Sequence, residues 1–352
     1  MSECRWGDVC TLSYGKALRD YIDKPTEETP VRVFGTNGPI GWTSDPLCSE
    51  PGIIVGRKGA YRGIHYSDAP FFVIDTAYYL KLITSEIDIK WAYYKLLTVD
   101  INRMDVGAAI PTTNRDEFYS LPLSYPNKEE QISAASTLSA YDDLIENNRR
   151  RIKLLEQAAR LLYKEWFVRL RFPGHKHVKI KDGVPEGWVK KPLGEIAPLK
   201  YGKALKQADR IPGPFSVYGS SGIIGRHTKA LVEGPGIIVG RKGNVGSVYW
   251  SEENFHPIDT VYFIGPEKSS LYLYYALLHT AFISTDVAVP GLNRDFAHSR
   301  RIMIPDSKIA RYFEKIVSIA HKQIYGLQNY NLKLAEARDL LLPRLMNGEI
   351  VL

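Results

Sequence analysis

The sequence contains very little cysteine and no long hydrophobic run. Its three cysteines, Cys4, Cys10 and Cys48, have no metal-binding spacing and cannot all pair with one another. This pattern predicts free thiols in a reducing compartment. No apolar stretch approaches the roughly 20 residues that a membrane-spanning helix needs, and the N-terminal residues lack the basic-then-apolar pattern of a signal peptide. We therefore expect a cytoplasmic protein without a membrane segment.

The chain also lacks the common catalytic and cofactor-binding motifs. It has no glycine-rich dinucleotide fingerprint, no P-loop, no Asn/Asp-Pro-Pro-aromatic segment of an amino-methyltransferase and no His-x-x-x-His pair. His175 and His177 stand in a basic segment punctuated by Pro and Gly, where solvation is favoured over metal binding. Asp75 and Asp259 follow apolar strands, the usual place for turn and capping residues. We expect a binding protein with no catalytic residue, metal site or cofactor of its own.

What the chain does have is the composition of a folded protein and a modest excess of positive charge. At 352 residues, with 44% hydrophobic and 24% charged residues, it can bury a core in more than one domain. The net charge is +7 and the pI is near 9.0. This charge suits a polyanionic partner, and it also suits an ordinary basic enzyme.

The strongest signal is an internal repeat. The octapeptide Gly-Ile-Ile-Val-Gly-Arg-Lys-Gly occurs at Gly52–Gly59 and again, letter for letter, at Gly236–Gly243. Shorter segments recur in the same order: Tyr14–Leu18 as Tyr201–Leu205, Ile74–Tyr78 as Ile258–Tyr262, and Asn114–Asp116 as Asn293–Asp295. The chain therefore contains two copies of one unit. We call them the first lobe (residues 1–125) and the second lobe (residues 188–305), and short β-branched runs between glycines predict that they are mostly β.

Each lobe is followed by a long predicted helix. Residues 127–168 contain no proline or glycine, and apolar residues from Ala134 to Trp166 recur at alternating four- and three-residue steps, the seam of a coiled coil. The second helix is predicted from Ser307 to about Leu342, closed by Pro343 and Gly348. Two helices of matching length bury their apolar faces most simply against each other. We therefore expect an antiparallel coiled coil with a pseudo-two-fold axis. Asn148 and Asn331 could fix the register of the two helices; alternatively, both are solvated.

Comparison of the two lobes sorts the candidate binding residues. Two similar but unequal lobes on a fixed spacer suit DNA with two unequal half-sites. Positions identical in both lobes serve the scaffold or the sequence-independent phosphates. The basic members of this shared set are Lys16, Arg57, Lys58, Arg115, Lys203, Arg241, Lys242 and Arg294. Alternatively, the Arg-Lys pairs are solvated turn tips, and Arg115 and Arg294 pair with local carboxylates.

Positions that differ at equivalent loops are the candidates for reading bases, since Arg pairs well with guanine and Asn with adenine. These candidates are Asn37, Thr43, Tyr61, Arg62, Ser220, Ser221, Arg226, His227 and Asn244. For any one of them, neutral surface is the competing interpretation.

The arrangement resembles the specificity (S) subunit of Type I restriction–modification systems over essentially the whole chain. Besides the repeated octapeptide, the segments that carry the resemblance are Tyr125–Ile132 at the start of the first helix, Leu154–Ala158, and Asp339–Gly348 with its Arg-Leu-x-x-Gly close. The start of the second helix, Pro305–Ile309, departs from the pattern because it lacks the Glu-Gln pair.

The resemblance implies an α+β fold with two similar β-rich target-recognition domains separated by two long helices. The implied divisions are target-recognition domain 1 (1–125), a conserved central helix (126–172), a linker (173–187), target-recognition domain 2 (188–305) and a conserved C-terminal helix (306–352). It also implies that each domain reads one half of a bipartite, asymmetric double-stranded DNA site.

The implied partners are two modification subunits, docked on the helix pair, and restriction subunits. The modification subunits would use S-adenosylmethionine to methylate adenine, and the restriction subunits would use ATP and Mg²⁺. Two other hypotheses remain open from the residues alone: a scaffold whose lobes bind proteins, and a DNA enzyme with an unrecognised site.

Overall fold

The computed structural model describes residues 2–104, 110–284 and 291–352. The chain forms two compact units, one comprising Met1–Asn147 with Tyr330–Leu352 and the other comprising Asn148–Asn329. We call these unit 1 and unit 2. Unit 1 contains the first lobe and unit 2 contains the second. Both units combine a β-rich lobe with helical segments, so the prediction of an α+β chain with two similar lobes and two long helices is confirmed.

The first lobe is built from short strands and short helices. Its strands are β1 (Ser2–Arg5), β2 (Cys10–Tyr14), β3 (Val31–Gly35), β4 (Gly38–Thr43), β5 (Gly52–Gly56), β6 (Ile64–Ser67), β7 (Phe71–Val73), β8 (Ala77–Leu82) and β9 (Pro122–Tyr125). Its helices are α1 (Trp6–Val9), α2 (Ile89–Leu97) and α3 (Arg115–Ser120), with a 3-10 turn at Ile101–Arg103.

Strand β5, the first half of the repeated octapeptide, lies in the middle of the first lobe. It pairs antiparallel with β6 and β8 in a sheet of order β2-β8-β5-β6. A second sheet has the order β4-β3-β7, in which β3 and β7 are parallel, and β1 pairs with β9. Ile53, Ile54 and Val55 are completely buried, because an interior strand is covered on both faces. The loop after β5 is therefore anchored on the most buried strand of the lobe.

A long helix and a connecting segment follow the first lobe. Helix α4 (Lys128–Tyr163) continues into a π-helical turn at Lys164–Val168. A 3-10 turn at His175–His177 and the hairpin of β10 (Ile180–Lys181) and β11 (Val184–Pro185) come next. The predicted helix of residues 127–168 is thus observed within one residue at each end when the π-helical turn is included.

The second lobe repeats the elements of the first. Its strands are β12 (Val189–Pro192), β13 (Lys200–Tyr201), β14 (Phe215–Gly219), β15 (Gly222–His227), β16 (Gly236–Gly240), β17 (Val248–Ser251), β18 (Phe255–Pro257), β19 (Val261–Ile264) and β20 (Arg301–Ile304). Its helices are α5 (Leu193–Ile196), α6 (Leu271–His279) and α7 (Arg294–Ser299), with a 3-10 turn at Gln207–Asp209. The sheet orders β13-β19-β16-β17 and β15-β14-β18, and the pair β12-β20, match those of the first lobe.

The last helix, α8 (Ser307–Met346), packs antiparallel to α4 within each unit. In unit 1, Asn331 Nδ2 donates to the carbonyl of Ile145, 3.4 Å away, and Arg338 bonds to Asp142. In unit 2, the rings of Tyr163 and Trp166 pack against Phe313. Contacting residues ascend on α4 as they descend on α8, which defines the antiparallel direction. Asn148 is only 6% exposed, so the alternative in which Asn148 is solvated is wrong. The two-fold relation between the units stays a prediction.

The predicted end of the second helix was wrong. Pro343 lies inside α8, which continues to Met346. Proline removes one helical N–H bond, but Leu345 and Met346 are 4% and 1% exposed and belong to the core of unit 1. Their burial holds the last turn together. The helix ends at Met346, and the chain then turns away at Gly348, whose φ of 73° lies in the left-handed region that glycine tolerates.

The described residues bear on two further features, helices that could span a membrane and the state of the cysteines. Over these residues, no helix is both long enough and apolar enough to span a bilayer. Cys4, Cys10 and Cys48 are free thiols, and burial raises the pKa of Cys10 to about 12 and that of Cys48 to about 11.

Candidate nucleic-acid interface

Three of the repeated sequence segments meet at one place in the first lobe. Tyr14 ends β2, Arg57 follows β5, and Arg115 begins α3. The guanidinium carbons of Arg57 and Arg115 each lie 4.7 Å from the centroid of the Tyr14 ring. Arg57 also lies 5.8 Å from the centroid of Tyr78. We call Tyr14, Arg57 and Arg115 the Arg–Tyr–Arg cluster of the first lobe.

The same cluster occurs in the second lobe, on equivalent elements. The guanidinium carbons of Arg241 and Arg294 lie 4.9 and 5.1 Å from the ring centroid of Tyr201. Arg241 lies 5.8 Å from the centroid of Tyr262, the counterpart of Tyr78. The paired tyrosine rings are separated by 5.1 Å in both lobes. The letter-for-letter repeats therefore encode one three-dimensional arrangement twice.

Backbone packing fixes the position of each tyrosine. In the first lobe the chain turns away from Tyr14 at Gly15, where a Cβ atom would lie 2.1 Å from the carbonyl oxygen of Ile74. At Gly202, after Tyr201, a Cβ atom would lie 2.1 Å from the carbonyl oxygen of Ile258. A side chain at either position would collide with backbone that cannot move away. The glycine of the repeated Tyr-Gly-Lys segment is thus a steric requirement.

Local hydrogen bonds position the arginines. Arg57 donates through its backbone N–H to Thr76 and through Nη1 to the carbonyl of Asp75, 2.8 Å away. Arg115 is the first residue of α3, which Asn114 caps by accepting hydrogen bonds from the N–H groups of Asp116 and Glu117. The second lobe repeats these contacts, with Arg241 bonded to the Asp259 carbonyl at 3.1 Å and Asn293 capping α7. Asp75 and Asp259 thus serve as turn residues through their carbonyls.

The cluster is positively charged and open to solvent. Within the described part of the chain, no carboxylate lies within 4.0 Å of a guanidinium nitrogen of Arg57, Arg115, Arg241 or Arg294. Burial raises the pKa of Tyr78, and it raises that of Tyr262 to about 12, so both phenols stay neutral at physiological pH. The rings of Tyr14 and Tyr201 are 46% and 47% exposed. Each lobe therefore presents two uncompensated guanidinium groups held against one aromatic ring.

In the first lobe the cluster lines a shallow depression of about 280 Å³ together with Thr112, Thr113, Asn114 and Asp116. Charged donors around an open depression suit an anion, and phosphate accepts hydrogen bonds from guanidinium groups with favourable geometry. Among the described residues, no group of three or more His, Cys, Asp or Glu side chains could hold a metal ion.

The structure therefore brings four of the eight shared basic residues into two clusters. The interpretation of Arg57 and Arg241 as solvated turn tips is wrong, because both are half-buried and packed on tyrosine rings. Lys58 and Lys242 lie beside the arginines with exposed side chains, and Lys16 and Lys203 are exposed one residue beyond the close-packed glycines. Sequence reasoning missed Tyr14 and Tyr201, although both stand in a segment that the repeat preserves.

Two of the predicted base-reading residues are buried. Arg62 is 3% exposed, and its Nη2 atom donates to the carbonyls of Ile101, Asn102 and Met104 at 3.0–3.1 Å. Thr43 is 8% exposed at the end of β4. Neither side chain can reach a base without local unfolding, so their assignment to base contact was wrong. The polar end of Arg62 stabilises the 3-10 turn instead.

Some of the remaining candidates make hydrogen bonds to neighbouring loops, and the others have exposed side chains. Arg226 Nη1 donates to the carbonyl of Pro214 at 2.9 Å, and His227 Nδ1 accepts from the N–H of Ile211 at 3.1 Å. Ser220 Oγ accepts from the N–H of Asn244 at 3.5 Å. These contacts tie neighbouring loops together. Exposed side chains remain at Asn37, Tyr61, Ser221 and Asn244, around the tips that follow β3, β5, β14 and β16.

Known proteins share both the sequence pattern and the fold. The specificity subunit of the Type I restriction enzyme MjaIX from Methanocaldococcus jannaschii is 25% identical over 392 residues, covering 97% of this chain and 85% of the relative. The HindI specificity subunit from Haemophilus influenzae is 24% identical over 360 residues, covering 77% of this chain and 76% of the relative. The crystal structure of a Type I restriction–modification S subunit from M. genitalium superposes with a TM-score of 0.65 at 23% identity, covering 98% of this chain and 95% of that one.

The family model of the Type I restriction modification DNA specificity domain matches residues 2–157 and residues 185–328. Each matched block contains one lobe with its Arg–Tyr–Arg cluster. Because the two blocks together cover most of the chain, this protein belongs to the family of Type I restriction–modification DNA specificity subunits.

Proposed function

We propose that each lobe of this chain reads one half of a bipartite, asymmetric DNA site. The observation that carries the proposal is the contrast between what the lobes share and where they differ. The Arg–Tyr–Arg cluster has the same geometry in both, whereas the exposed side chains on the neighbouring tips differ. Shared basic groups suit the phosphates that every sequence offers, and differing tips suit two different sets of bases.

In this proposal the clusters hold the DNA backbone. Two guanidinium groups per lobe contact phosphates, with Lys16 and Lys58 in the first lobe and Lys203 and Lys242 in the second adding charge around them. Packing against the tyrosine rings restricts the arginine rotamers, so less conformational entropy is lost on binding. The exposed residues Asn37, Tyr61, Ser221 and Asn244 then face the bases.

The long helices have a separate role in the proposal. Helix α4 has 36 residues and α8 has 40, and a stiff antiparallel pair suits a spacer that sets the distance between half-sites. Both helices carry exposed apolar side chains suited to docking two modification subunits: Ile132, Leu144, Leu154 and Leu161 on α4, and Ile316, Ile319, Leu332 and Leu340 on α8. The chemistry resides in the partners, with S-adenosylmethionine in the modification subunits and ATP and Mg²⁺ in the restriction subunits.

The test is DNA binding by the chain assembled with its modification partner, using sites found by mapping methylated adenines in host DNA. We expect a clear preference for the mapped site. The double variant Arg57→Gln/Arg115→Gln should lower affinity about tenfold and reduce the slope of log affinity against log salt by about 2, since each phosphate contact contributes ~0.9. Arg241→Gln/Arg294→Gln should do the same, and neither should change the base preference.

A complex that binds all sequences equally would overturn the proposal. Retained binding of the modification partner without any DNA binding would instead favour a protein scaffold. Methyl transfer by this chain alone would favour an enzyme.

A further inference from the structure

The tip that follows β5 in the first lobe presents one aromatic side chain to solvent. Tyr61 is 80% exposed, more than any other large hydrophobic residue among those described. In the described part of the molecule its ring contacts no other ring or cation. Burial of such a ring against a ligand would remove a large apolar area from water, which is strongly favourable.

The backbone on both sides of Tyr61 is fixed. Before it, the N–H of Gly59 donates to the carbonyl of Pro111 at 3.0 Å. After it, the N–H of Arg62 donates to Asn102 Oδ1 at 2.9 Å, and Asn102 Nδ2 donates back to the Arg62 carbonyl at 3.2 Å. A reciprocal pair of bonds to one side-chain amide defines the position of a loop closely. The exposed ring therefore stands on a preorganised tip, which lowers the entropic cost of binding.

The buried side chain of Arg62 adds a second anchor. Its Nη2 atom donates to the carbonyls of Ile101, Asn102 and Met104. An arginine buried to 3% exposure is costly unless its polar atoms gain partners. Nη2 has these three partners, whereas Nε and Nη1 have none among the described residues. Through Nη2 the guanidinium connects the tip that carries Tyr61 to the 3-10 turn that carries Asn102.

The equivalent tip of the second lobe has neither an exposed ring nor a buried arginine. At the position equivalent to Tyr61 it has Val245, which is half-buried and packs against the core of unit 2. The equivalent of Arg62 is Gly246, where a Cβ atom would lie 2.6 Å from the Cβ of Phe282. An arginine therefore does not fit there. The exposed side chain of this tip is Asn244, which can offer hydrogen bonds and no ring.

We propose that Tyr61 is a specificity-determining residue of the first lobe that packs its ring against a base, whereas the corresponding tip of the second lobe reads its half-site through the Asn244 amide. The inference rests on the proposed function and deepens it. Lys58 and Tyr61 are three residues apart, so at most ~10 Å of backbone separates them. The base contacted by Tyr61 should therefore lie in the same half-site as the phosphate proposed for Lys58.

The test is a double-mutant cycle on the complex with its modification partner. One arm compares wild type with Tyr61→Ala and Tyr61→Phe, and the other places an abasic nucleotide at each position of the half-site in turn. Loss of the apolar contact between the ring and the base predicts that Tyr61→Ala weakens binding about tenfold, while Tyr61→Phe retains affinity because it keeps the ring. At one or two adjacent positions, the abasic substitution should weaken the wild type and leave Tyr61→Ala unaffected.

The matched control is Val245→Ala at the equivalent position of the second lobe, which should couple to no abasic position. A Tyr61→Ala complex with wild-type affinity and base preference would overturn this inference. The proposed function would survive that result if the arginine variants still weakened binding. If the wild type itself showed no base preference, the proposed function would fail instead.

Asn102→Ala tests whether the tip is held in place for this contact. Asn102 is a positioning residue, so its loss should reduce base discrimination at the positions that depend on Tyr61 and leave the salt slope unchanged. In the background of Tyr61→Ala the substitution should have no further effect on base preference. An equal effect in both backgrounds would show that Asn102 supports the lobe generally and would contradict the positioning role.

Discussion

The two lobes make the same hydrogen bond with different side chains. In the first lobe the N–H of Leu12 donates to Tyr119 Oη at 2.8 Å, and in the second the N–H of Leu199 donates to His298 Nε2 at 2.9 Å. Tyr119 lies in α3, and His298 lies at the equivalent position of α7. The fold therefore requires an acceptor at this place and leaves its chemistry free. The consequence is that the second lobe carries an imidazole at a place where the first lobe carries a phenol.

A second pair of equivalent contacts joins each lobe to α4 or α8 within its own unit. Tyr94 Oη donates to Asp142 at 2.7 Å in unit 1, and Asp142 also bonds to Arg338. In unit 2, Tyr275 Oη bonds to His321 Nε2 at 2.8 Å. Where unit 1 uses a charged network, unit 2 uses a buried neutral imidazole. The units should therefore respond differently to acid.

The cores differ as well. Trp6 and Phe118 pack between α1 and α3 with ring centroids 6.0 Å apart. The equivalent pair between α5 and α7 is Leu193 and Ala297, both completely buried. The same layer of the lobe is thus filled by two large aromatic side chains in one copy and by two smaller aliphatic ones in the other. Substitutions at equivalent positions should consequently have unequal costs.

The largest effect is expected at Phe118. Replacement by Ala removes a completely buried ring and should lower the free energy of unfolding of unit 1 by about 3–5 kcal/mol. Hydrogen exchange resolved by peptide, measured against denaturant, would separate unit 1 from unit 2. The control is Phe296→Ala, which removes a half-buried ring from α7 of the second lobe and should cost clearly less. An equal loss from Phe296→Ala would contradict the view that complete burial makes the loss of Phe118 costly.

The next effect is the acid sensitivity of unit 2. Burial lowers the pKa of His321 from 6.5 to about 4, so the folded state binds a proton less readily than the unfolded state. Stability is then complete above pH 6.5 and falls as the pH drops towards 4, by about 3 kcal/mol in total. Unfolding of unit 2 measured between pH 7.5 and 4 checks this. His321→Gln keeps a partner for Tyr275 and cannot titrate, so it should make the stability of unit 2 nearly independent of pH over this range. If the stability of that variant fell with pH as in the wild type, a group other than His321 would cause the acid sensitivity.

The smallest effect is expected from exchanging the acceptor of the shared hydrogen bond. Burial, then the nearby positive charge of Arg294, lowers the pKa of His298, which keeps Nε2 available as an acceptor at neutral pH. His298→Tyr introduces the residue of the first lobe and should preserve the bond. His298→Phe removes the acceptor and should cost about 1 kcal/mol or somewhat more. Amide exchange at Leu199 is the measurement, and equal protection in both variants would contradict the role of the bond.

Sequence comparison predicted much of the fold because repeated segments form repeated elements. The octapeptide became a central strand and its tip in both lobes, and the first helix was predicted within a residue at each end. Its failures were local. Pro343 lacks an N–H and therefore predicted a helix end, yet the helix continues to Met346 because Leu345 and Met346 are buried. Such burial depends on residues that are distant in sequence, which no local pattern reports.

The candidate site shows the same division. Identity between the copies selected Arg57, Arg115, Arg241 and Arg294 as basic residues with a shared task. It did not reveal that each pair shares one tyrosine, since Tyr14 and Arg115 lie at opposite ends of the lobe sequence. It also mistook Arg62 for a surface residue, because arginine is seldom buried. The contacts that correct this assignment are to backbone carbonyls, which leave no signature in residue identity.

The sequence by itself determined that the chain is a duplicated β-rich unit with two long helices and a shared set of basic residues. Periodicity and identity are properties of the chain and can be read from it directly. Only the tertiary structure decided which side chains meet, which arginines face solvent and which tip presents a ring. These outcomes depend on how strands and helices distant in sequence pack against each other, and that packing leaves Tyr61 exposed in one tip and half-buries Val245 in the other.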